Sequence, residues 1–195
     1  MQRKLAEFES VAIDLARWLD AYGGKYVLIG GVAVAAHGVA RMTHDIDAMA
    51  LIPDDHWPLF LESAGKYGFE SRRKDTLQFA RMNRLLQLVH VATATDVDIS
   101  LGFMVFDCEA VERRVWISIA ETRAPIASVE DLIVMKCFAG RPQDIADVHK
   151  LLRMNGKLDI GRIRTWLRKF EQLTDRGDIL REFERLNTGT KRGIL

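Results

Sequence analysis

Cysteine is scarce in this sequence, which argues against a fold held by disulfides. The 195 residues include only Cys108 and Cys137, which lie far apart in the chain among apolar neighbours. We predict two buried thiols in a reducing compartment rather than a disulfide framework. No zinc site is expected either, because no histidine stands at a ligand-like spacing from these cysteines.

Long apolar runs are also missing. No stretch approaches the roughly 20 apolar residues that a membrane-spanning helix needs. Residues 1–22 predict an amphipathic helix that contains acidic side chains, and they lack the continuous apolar core of a signal peptide. We therefore predict a cytoplasmic protein with no membrane partner.

The chain also lacks a strong net charge, since its formal charge is +1. The charge is nevertheless uneven: residues 150–195 contain 12 Lys and Arg against 6 Asp and Glu, so the rest of the chain is acidic. A basic helical segment is either a solvated surface or a nucleic-acid-binding surface. The composition leaves both possibilities open.

The hydrophobic pattern changes near residue 125. Before it, alternating and periodic segments predict a mixed α/β core at 1–125; after it, helical periodicity predicts a C-terminal helical region at 126–195. Ser128 followed by Asp131 resembles a helix capping box. Strands or extended segments are predicted at KYVLIGG (25–31), DIDAMALI (45–52), TLQFARM (76–82), LLQLVHVA (85–92), TDVDISLG (95–102), RRVWISIA (113–120) and TRAPIA (122–127).

Two aspartates, Asp45 and Asp47, interrupt an apolar predicted strand. Alternate residues of a strand point to the same face, so both carboxylates share one face and Ile46 points to the other. Carboxylates held this close repel one another, and a proton, a basic side chain or a metal cation relieves the repulsion. Mg²⁺ takes oxygen ligands, often one or two carboxylates together with water and phosphate oxygens. The pair is therefore a candidate magnesium site.

A second pair, Asp96 and Asp98, repeats this pattern in a later predicted strand. If that strand lies beside the first, at least one of its carboxylates can reach the same site. Three carboxylates on neighbouring strands can hold two divalent ions, which clamp the attacking and leaving oxygens of a phosphoryl-type displacement.

Gly30 and Gly31 lie where a predicted strand turns into a predicted helix. Glycine lets the backbone approach a ligand closely, and the first turn of a helix offers free N–H groups to phosphate oxygens. Many α/β proteins have such a turn for packing alone, so its meaning depends on the aspartates that follow it.

The order of these features resembles a known superfamily. The segment GGVAVAAHGVARMTHDID resembles the signature of nucleotidyltransferases with the DNA polymerase β-like catalytic fold: Gly, then Gly or Ser, a short spacer, and Asp-x-Asp, with a third carboxylate on a later strand. The resemblance implies a mixed α/β catalytic core. It implies metal ligation by Asp45, Asp47 and Asp98, with Asp96 as the alternative third ligand.

Within that superfamily, the sequence is similar to the minimal nucleotidyltransferases of the abortive-infection toxin type. The pattern GG.A...HG..R.T.DID and the segment SVEDLIVMKCFAGRPQDIADVHKLL carry this similarity, which covers roughly residues 25–152. In those relatives a Lys on the first C-terminal helix and an Asp at the start of the next complete the active site, here Lys136 and Asp144. The chain departs from many members at Gly31, where a serine hydroxyl often helps to hold a phosphate.

Arg41 and Thr43 precede the predicted catalytic strand and join the candidates for nucleotide contact. Arg41 has two interpretations, a contact with the triphosphate or a structural pair with an acidic neighbour. Lys136 lies in an otherwise apolar helix, where a lysine either extends to solvent or points towards phosphates; the resemblance favours the second.

The resemblance implies a Mg²⁺-dependent enzyme, with two ions, that moves a nucleoside monophosphate from an NTP to an acceptor. RNA such as a tRNA end would suit the basic C-terminal segment, and a toxin would have an antitoxin protein as its partner. The alternatives are a small-molecule acceptor of the aminoglycoside type, which the acidic front of the chain would suit, and a non-catalytic nucleotide-binding module. The basic residues considered for RNA are Arg162, Arg164, Arg168 and Lys169, near Trp166.

Overall fold

The computed structural model describes residues 2–41, 43–120, 122–174 and 176–192. The chain divides into two compact units. Unit 1 comprises Met1–Val32 and Met42–Ala127, and unit 2 comprises Ala33–Arg41 and Ser128–Leu195. Within the described residues, no helix has both the length and the apolar character that crossing a membrane requires.

Unit 1 contains a mixed sheet, whose described strands follow the order β3-β4-β5-β2-β1-β7-β6. Two neighbouring pairs, β2 with β5 and β1 with β7, are parallel, and the other pairs are antiparallel. This sheet with its helices confirms the predicted α/β class. The strands are β1 Tyr26–Ile29, β2 Asp45–Ala50, β3 Phe69–Ser71, β4 Leu85–His90, β5 Thr95–Leu101, β6 Val115–Ile119 and β7 Thr122–Ile126.

An aromatic cluster lies in the core of unit 1. The ring of Trp18 stacks on Phe60 with centroids 4.1 Å apart and lies 5.4 Å from the ring of Phe69. All three side chains are almost fully buried, so they form a substantial part of the apolar core. The helices are α1 Gln2–Ala21, α3 Trp57–Ser63, α4 Thr76–Asn83 and α5 Val105–Glu112, while α2 Gly30–Ala36 begins in unit 1 and ends in unit 2.

One predicted strand, TLQFARM at 76–82, is wrong: these residues form helix α4. Its buried residues are Thr76 and Ala80. Their spacing of four places them on one face of a helix, whereas a strand would bury alternate residues. The Arg73 guanidinium also lies over the Phe79 ring, 4.1 Å from its centroid. Packing therefore overrides the strand preference of the β-branched and aromatic residues in this segment.

Unit 2 is helical from Ser128 onward, as predicted. The Ser128 hydroxyl accepts a hydrogen bond from the Asp131 backbone N–H at 3.2 Å, which confirms the predicted N-terminal cap. The first helix ends at Gly140, whose φ of 65° is a left-handed conformation that glycine adopts without strain. The helices are α6 Val129–Ala139, α7 Pro142–Met154, α8 Ile160–Leu173 and α9 Ile179–Arg192.

The two thiols differ in exposure. Both cysteines are free, and Cys137 is buried as predicted, but Cys108 is exposed, so that part of the prediction is wrong. Helix α5 buries Phe106, Ala110 and Val111, and Cys108 lies on the opposite side of the helix. Burial raises the pKa of the Cys137 thiol to about 12, and the nearby carboxylates of Glu182 and Asp144 act in the same direction.

This difference predicts selective labelling, because the thiolate is the reactive form. Iodoacetamide at neutral pH should modify Cys108 in the folded protein and leave Cys137 unmodified, as measured by peptide mass spectrometry. Both should react in denaturant, and Cys108→Ser should abolish labelling of the folded protein. Rapid modification of Cys137 under native conditions would contradict its burial.

Candidate active site

The two Asp-bearing strands are direct neighbours. Strands β2 and β5 run parallel, with Asp45 opposite Asp96 and Asp47 opposite Asp98. Residues paired across a sheet share a face, so these carboxylates form a compact acidic group on one face of the sheet. Ile46 is fully buried on the other face, as the alternation predicts. The condition for a shared site, that the second strand lies beside the first, is met.

The surroundings of Asp98 shift the pKa of its carboxyl. Burial raises its pKa, and the negative charges of Asp96 and Asp45 raise it further, while the Arg72 guanidinium opposes them. A half-buried carboxylate between two others needs a positive charge close by if it is to remain ionised.

Arg72, which the sequence did not single out, supplies that charge. One of its terminal nitrogens donates to Asp96 Oδ2 at 2.7 Å and the other donates to Asp98 Oδ1. No local signal in the sequence pointed to Arg72, because its partners are 24 and 26 residues away. Only the strand order brings them together.

The acidic group matches Mg²⁺ in its chemistry, since it consists of carboxylate oxygens aligned across adjacent strands. In the arrangement seen here, however, no three His, Cys, Asp or Glu side chains of the described residues are placed to hold a metal ion together. In this arrangement the Asp98 carboxylate is paired with Arg72. Metal ligation by Asp45, Asp47 and Asp98 stays a prediction.

Gly30 lies directly against Asp47. Its φ is +62°, and a Cβ built there would lie 1.9 Å from Asp47 Oδ2, which is an impossible contact. Only glycine therefore permits the strand-to-helix turn to approach the carboxylate this closely. Gly31 follows as the second residue of α2, in the same unit as Asp47.

Thr43 contacts the first aspartate rather than standing apart in its loop. Its hydroxyl donates to Asp45 Oδ1 at 2.7 Å, with a longer contact of 3.2 Å to the Asp45 carbonyl oxygen. The bond to the carboxylate restricts its orientation at the start of β2. Thr43 was predicted to contact nucleotide, and here its hydroxyl orients a candidate metal ligand.

Unit 2 has a charged cluster of its own. The Lys136 ammonium lies 2.7 Å from Asp144 Oδ1 and 2.9 Å from Asp147 Oδ2, and Arg41 lies 2.7 Å from the same Asp147 oxygen. Gln143 donates to the other Asp147 oxygen at 3.1 Å. Of the two interpretations of Arg41, the structural pair with an acid is the one observed. Lys136 is buried and does not extend to solvent.

One oxygen in this cluster is unsatisfied. Asp144 Oδ2 is buried and accepts no hydrogen bond from any residue that the structure describes. A buried carboxylate oxygen without a donor is costly, so a ligand hydroxyl, amino group or water would be stabilised there.

The predicted basic surface around Trp166 is smaller than the sequence suggests. Arg162 pairs with the buried Asp131 at 2.8 Å, and Arg164 donates to both oxygens of Glu184 at 2.6 and 3.0 Å. Trp166 itself is only 5% exposed, so its ring cannot stack on a base. Arg168 and Lys169 remain exposed, with the Lys169 ammonium 4.0 Å from the Trp166 ring centroid.

The fold has a counterpart among solved structures. It is similar to the crystal structure of an antigenic nucleotidyltransferase-like protein from Paracoccidioides brasiliensis, with a TM-score of 0.57 and 17% sequence identity, over 92% of this chain and 93% of that chain. A likeness at this identity concerns the fold alone. No curated protein matches the chain in sequence.

Residues 4–184 match the model of the family described as "Nucleotidyltransferase of unknown function (DUF6036)", and the chain therefore belongs to that family. The predicted relationship to nucleotidyltransferases is confirmed at this level. The narrower resemblance to toxins stays a prediction.

The contact between Gly30 and Asp47 predicts a specific loss of stability. Gly30→Ala should lower the melting temperature, because a left-handed backbone costs a residue other than glycine about 1–3 kcal/mol and the added methyl overlaps Asp47. Each 1 kcal/mol corresponds to roughly 2–4 °C in a domain of this size.

Gly65→Ala is the matched control, since a Cβ there meets nothing within 4 Å and Gly65 has no positive φ. Adding Asp47→Ala to Gly30→Ala should restore part of the lost stability by removing the overlapping atoms. Equal melting temperatures for Gly30→Ala and Gly65→Ala would show that the close contact is not present in solution.

Proposed function

We propose that this chain is a nucleotidyltransferase that moves a nucleoside monophosphate from an NTP to an acceptor hydroxyl and releases pyrophosphate. The observation that carries this proposal is the pairing of Asp47 with Asp98 across β2 and β5, with Gly30 pressed against Asp47. Membership in a nucleotidyltransferase family supports it.

Asp45, Asp47 and Asp98 would hold magnesium at this site. When bound, Mg²⁺ neutralises triphosphate charge and lowers the pKa of an acceptor hydroxyl. Thr43 orients Asp45 for that role through its hydroxyl. Gly30 and Gly31 allow the backbone to approach the phosphates closely, as the turn already does with Asp47.

In the proposed step, the acceptor oxygen forms a bond to the α-phosphorus of the NTP. The bond between the α-phosphorus and the oxygen that bridges it to the β-phosphorus breaks. The electron pair of the broken bond leaves with pyrophosphate. Asp98 orients the acceptor hydroxyl and accepts its proton.

Lys136 and Asp144 are proposed to contact the nucleotide, as their match to the toxin-type relatives implies. The unsatisfied Asp144 oxygen supports this, because it offers an acceptor to a ligand hydroxyl or amino group. Lys136 holds the other Asp144 oxygen at 2.7 Å and so fixes the direction in which the free oxygen points. Asp147 pairs with the same Lys136 ammonium, and Arg41 pairs with Asp147, so both residues help to hold Lys136 in place within unit 2.

Single-stranded RNA is the acceptor we favour, and strand β6 rather than the C-terminal helices suggests where it binds. Trp116 is 44% exposed on this edge strand, with the Arg114 and Arg123 guanidinium carbons 5.5 and 5.6 Å from its ring centroid. Aromatic rings flanked by arginines stack on bases and attract phosphates. A toxin paired with an antitoxin is one setting in which RNA modification would serve.

Activity should depend on the paired aspartates. Asp47→Asn and Asp98→Asn should each abolish Mg²⁺-dependent transfer of label from an α-labelled NTP, because each removes an ionised carboxylate from the proposed site. Transfer to RNA, to protein and to an aminoglycoside would be measured in parallel, with pyrophosphate release as a second readout.

Asp55→Asn is the matched control, since it makes the same chemical change at an exposed position in the turn before α3. Its activity should equal that of the wild type. Nucleotide-dependent thermal stabilisation, without release of pyrophosphate from the NTP in the presence of any of these acceptors, would instead indicate a non-catalytic nucleotide-binding module.

Binding of a single-stranded oligoribonucleotide should depend on Trp116. Trp116→Ala should weaken binding by about 1–3 kcal/mol, the typical contribution of one stacked base, as measured by fluorescence anisotropy. Arg123→Gln should make the dependence of affinity on salt less steep, by roughly one phosphate contact.

Phe103→Ala is the control for Trp116→Ala. Phe103 is also exposed and has a guanidinium over its ring, but that guanidinium, of Arg84, is paired with Asp54 at 2.8 Å. Equal effects of both alanine variants, or preferential transfer to an aminoglycoside, would argue against RNA recognition by β6.

A further inference from the structure

Arg72 is placed by the sheet to reach the acidic group. It directly follows β3, and its backbone N–H donates to the Gln87 carbonyl oxygen at 3.0 Å, which extends the pairing of Ser71 with Leu88 by one residue. Gln87 lies opposite Asp98 across β4 and β5. Arg72, Gln87 and Asp98 therefore share one face, and the arginine side chain extends across β4 to the carboxylates of β5.

The guanidinium bridges both acids of β5. Its two terminal nitrogens contact Asp96 and Asp98 separately, with the Asp96 bond at 2.7 Å. Such a two-pronged contact uses the planar shape of the group as well as its charge. The Arg72 side chain remains 28% exposed, so it has room to leave.

A divalent ion ligated by Asp98 would compete with this guanidinium for the same carboxylate. Asp98 stands opposite Asp47, the position from which both could ligate one ion, yet Asp98 is in contact with Arg72. Two cations at one carboxylate repel each other, so strong binding of either weakens binding of the other.

The neighbouring arginine shows that this contact is particular to one position. Arg73 pairs with Asp75 through two bonds of 2.9 and 3.0 Å and lies over the Phe79 ring. Among the described residues, the ion pair of Arg73 is with Asp75, and the ion pairs of the β5 acids are with Arg72.

We propose that Arg72 is an internal cation that holds Asp96 and Asp98 in the absence of metal and must move away before Asp98 can ligate a divalent ion. Phosphate groups of an arriving nucleotide offer the released guanidinium an alternative partner. Arg72 thereby makes binding of metal and binding of nucleotide favour each other. This inference rests on the proposed role of Asp98 as a metal ligand.

The test is the affinity for Mn²⁺ without nucleotide, measured by electron paramagnetic resonance of the free ion. Mn²⁺ suits carboxylate ligands as Mg²⁺ does. Arg72→Gln should bind Mn²⁺ roughly fivefold more tightly or better than the wild type, the lower end of typical coupling between two sites. Arg73→Gln, which removes the same charge one residue away, should leave the affinity unchanged.

A second substitution locates the effect. Asp98→Asn in the Arg72→Gln background should cancel the gain in Mn²⁺ affinity. A gain that survives this change, or no gain in a folded Arg72→Gln protein, would overturn the inference. If Arg72→Gln does not fold, Arg72→Lys replaces it. A single ammonium group cannot donate to both Asp96 and Asp98 in the way the planar guanidinium does, so a gain in Mn²⁺ affinity is still expected. Absence of that gain would equally overturn the inference.

The two proposals fail in different ways. Loss of Mn²⁺ affinity in Asp98→Asn alone establishes Asp98 as a ligand whether or not transfer is detected. Label transfer by the wild type together with unchanged Mn²⁺ affinity in Arg72→Gln would disprove the role of Arg72 and leave the proposed transferase activity standing. A gain in Mn²⁺ affinity in Arg72→Gln without label transfer by the wild type would disprove the transferase activity alone.

Discussion

Repulsion among carboxylates on two adjacent strands is the constraint on which the rest of unit 1 depends. The parallel pairing of β2 with β5 brings four aspartates to one face of the sheet. Such a group is stable only if positive charge or hydrogen-bond donors surround it. Thr43 donates to Asp45, Arg72 donates to Asp96 and Asp98, and Gly30 leaves room for Asp47. Each of these features is explained by the acidic group.

Unit 2 also contains neighbouring acids, and there the compensating cations are held in a buried network. Lys136, Asp144 and Asp147 are buried, and the two acids share one ammonium while Arg41 adds a second cation to Asp147. Removing one partner from such a buried network leaves an uncompensated charge, which typically costs about 3–5 kcal/mol. The cations of unit 2 are therefore structural whatever else they do. In unit 1 the acids are half-buried or exposed, so their counter-charge can be exchanged.

Much of the fold could be predicted because its signals are local. Alternation of apolar residues located most of the strands, and Ser128 and Gly140 marked both ends of α6. The failure at α4 has a local cause as well, since β-branched and aromatic residues suggested a strand where residues buried four apart form a helix. Cys108 was misjudged because apolar neighbours in sequence do not show which side of a helix is buried.

In the candidate site, too, the features with local signals could be predicted from the sequence and the others could not. That Asp45 and Asp47 share a face follows from the two-residue repeat of any strand. Which charges surround these aspartates does not follow, because Arg72 reaches Asp98 across 26 residues of chain and Arg41 reaches Asp147 across 106. Such contacts depend on strand order and helix packing, which no local repeat encodes. Local chemistry therefore specifies where negative charge is concentrated, and only the tertiary structure specifies which cation compensates it.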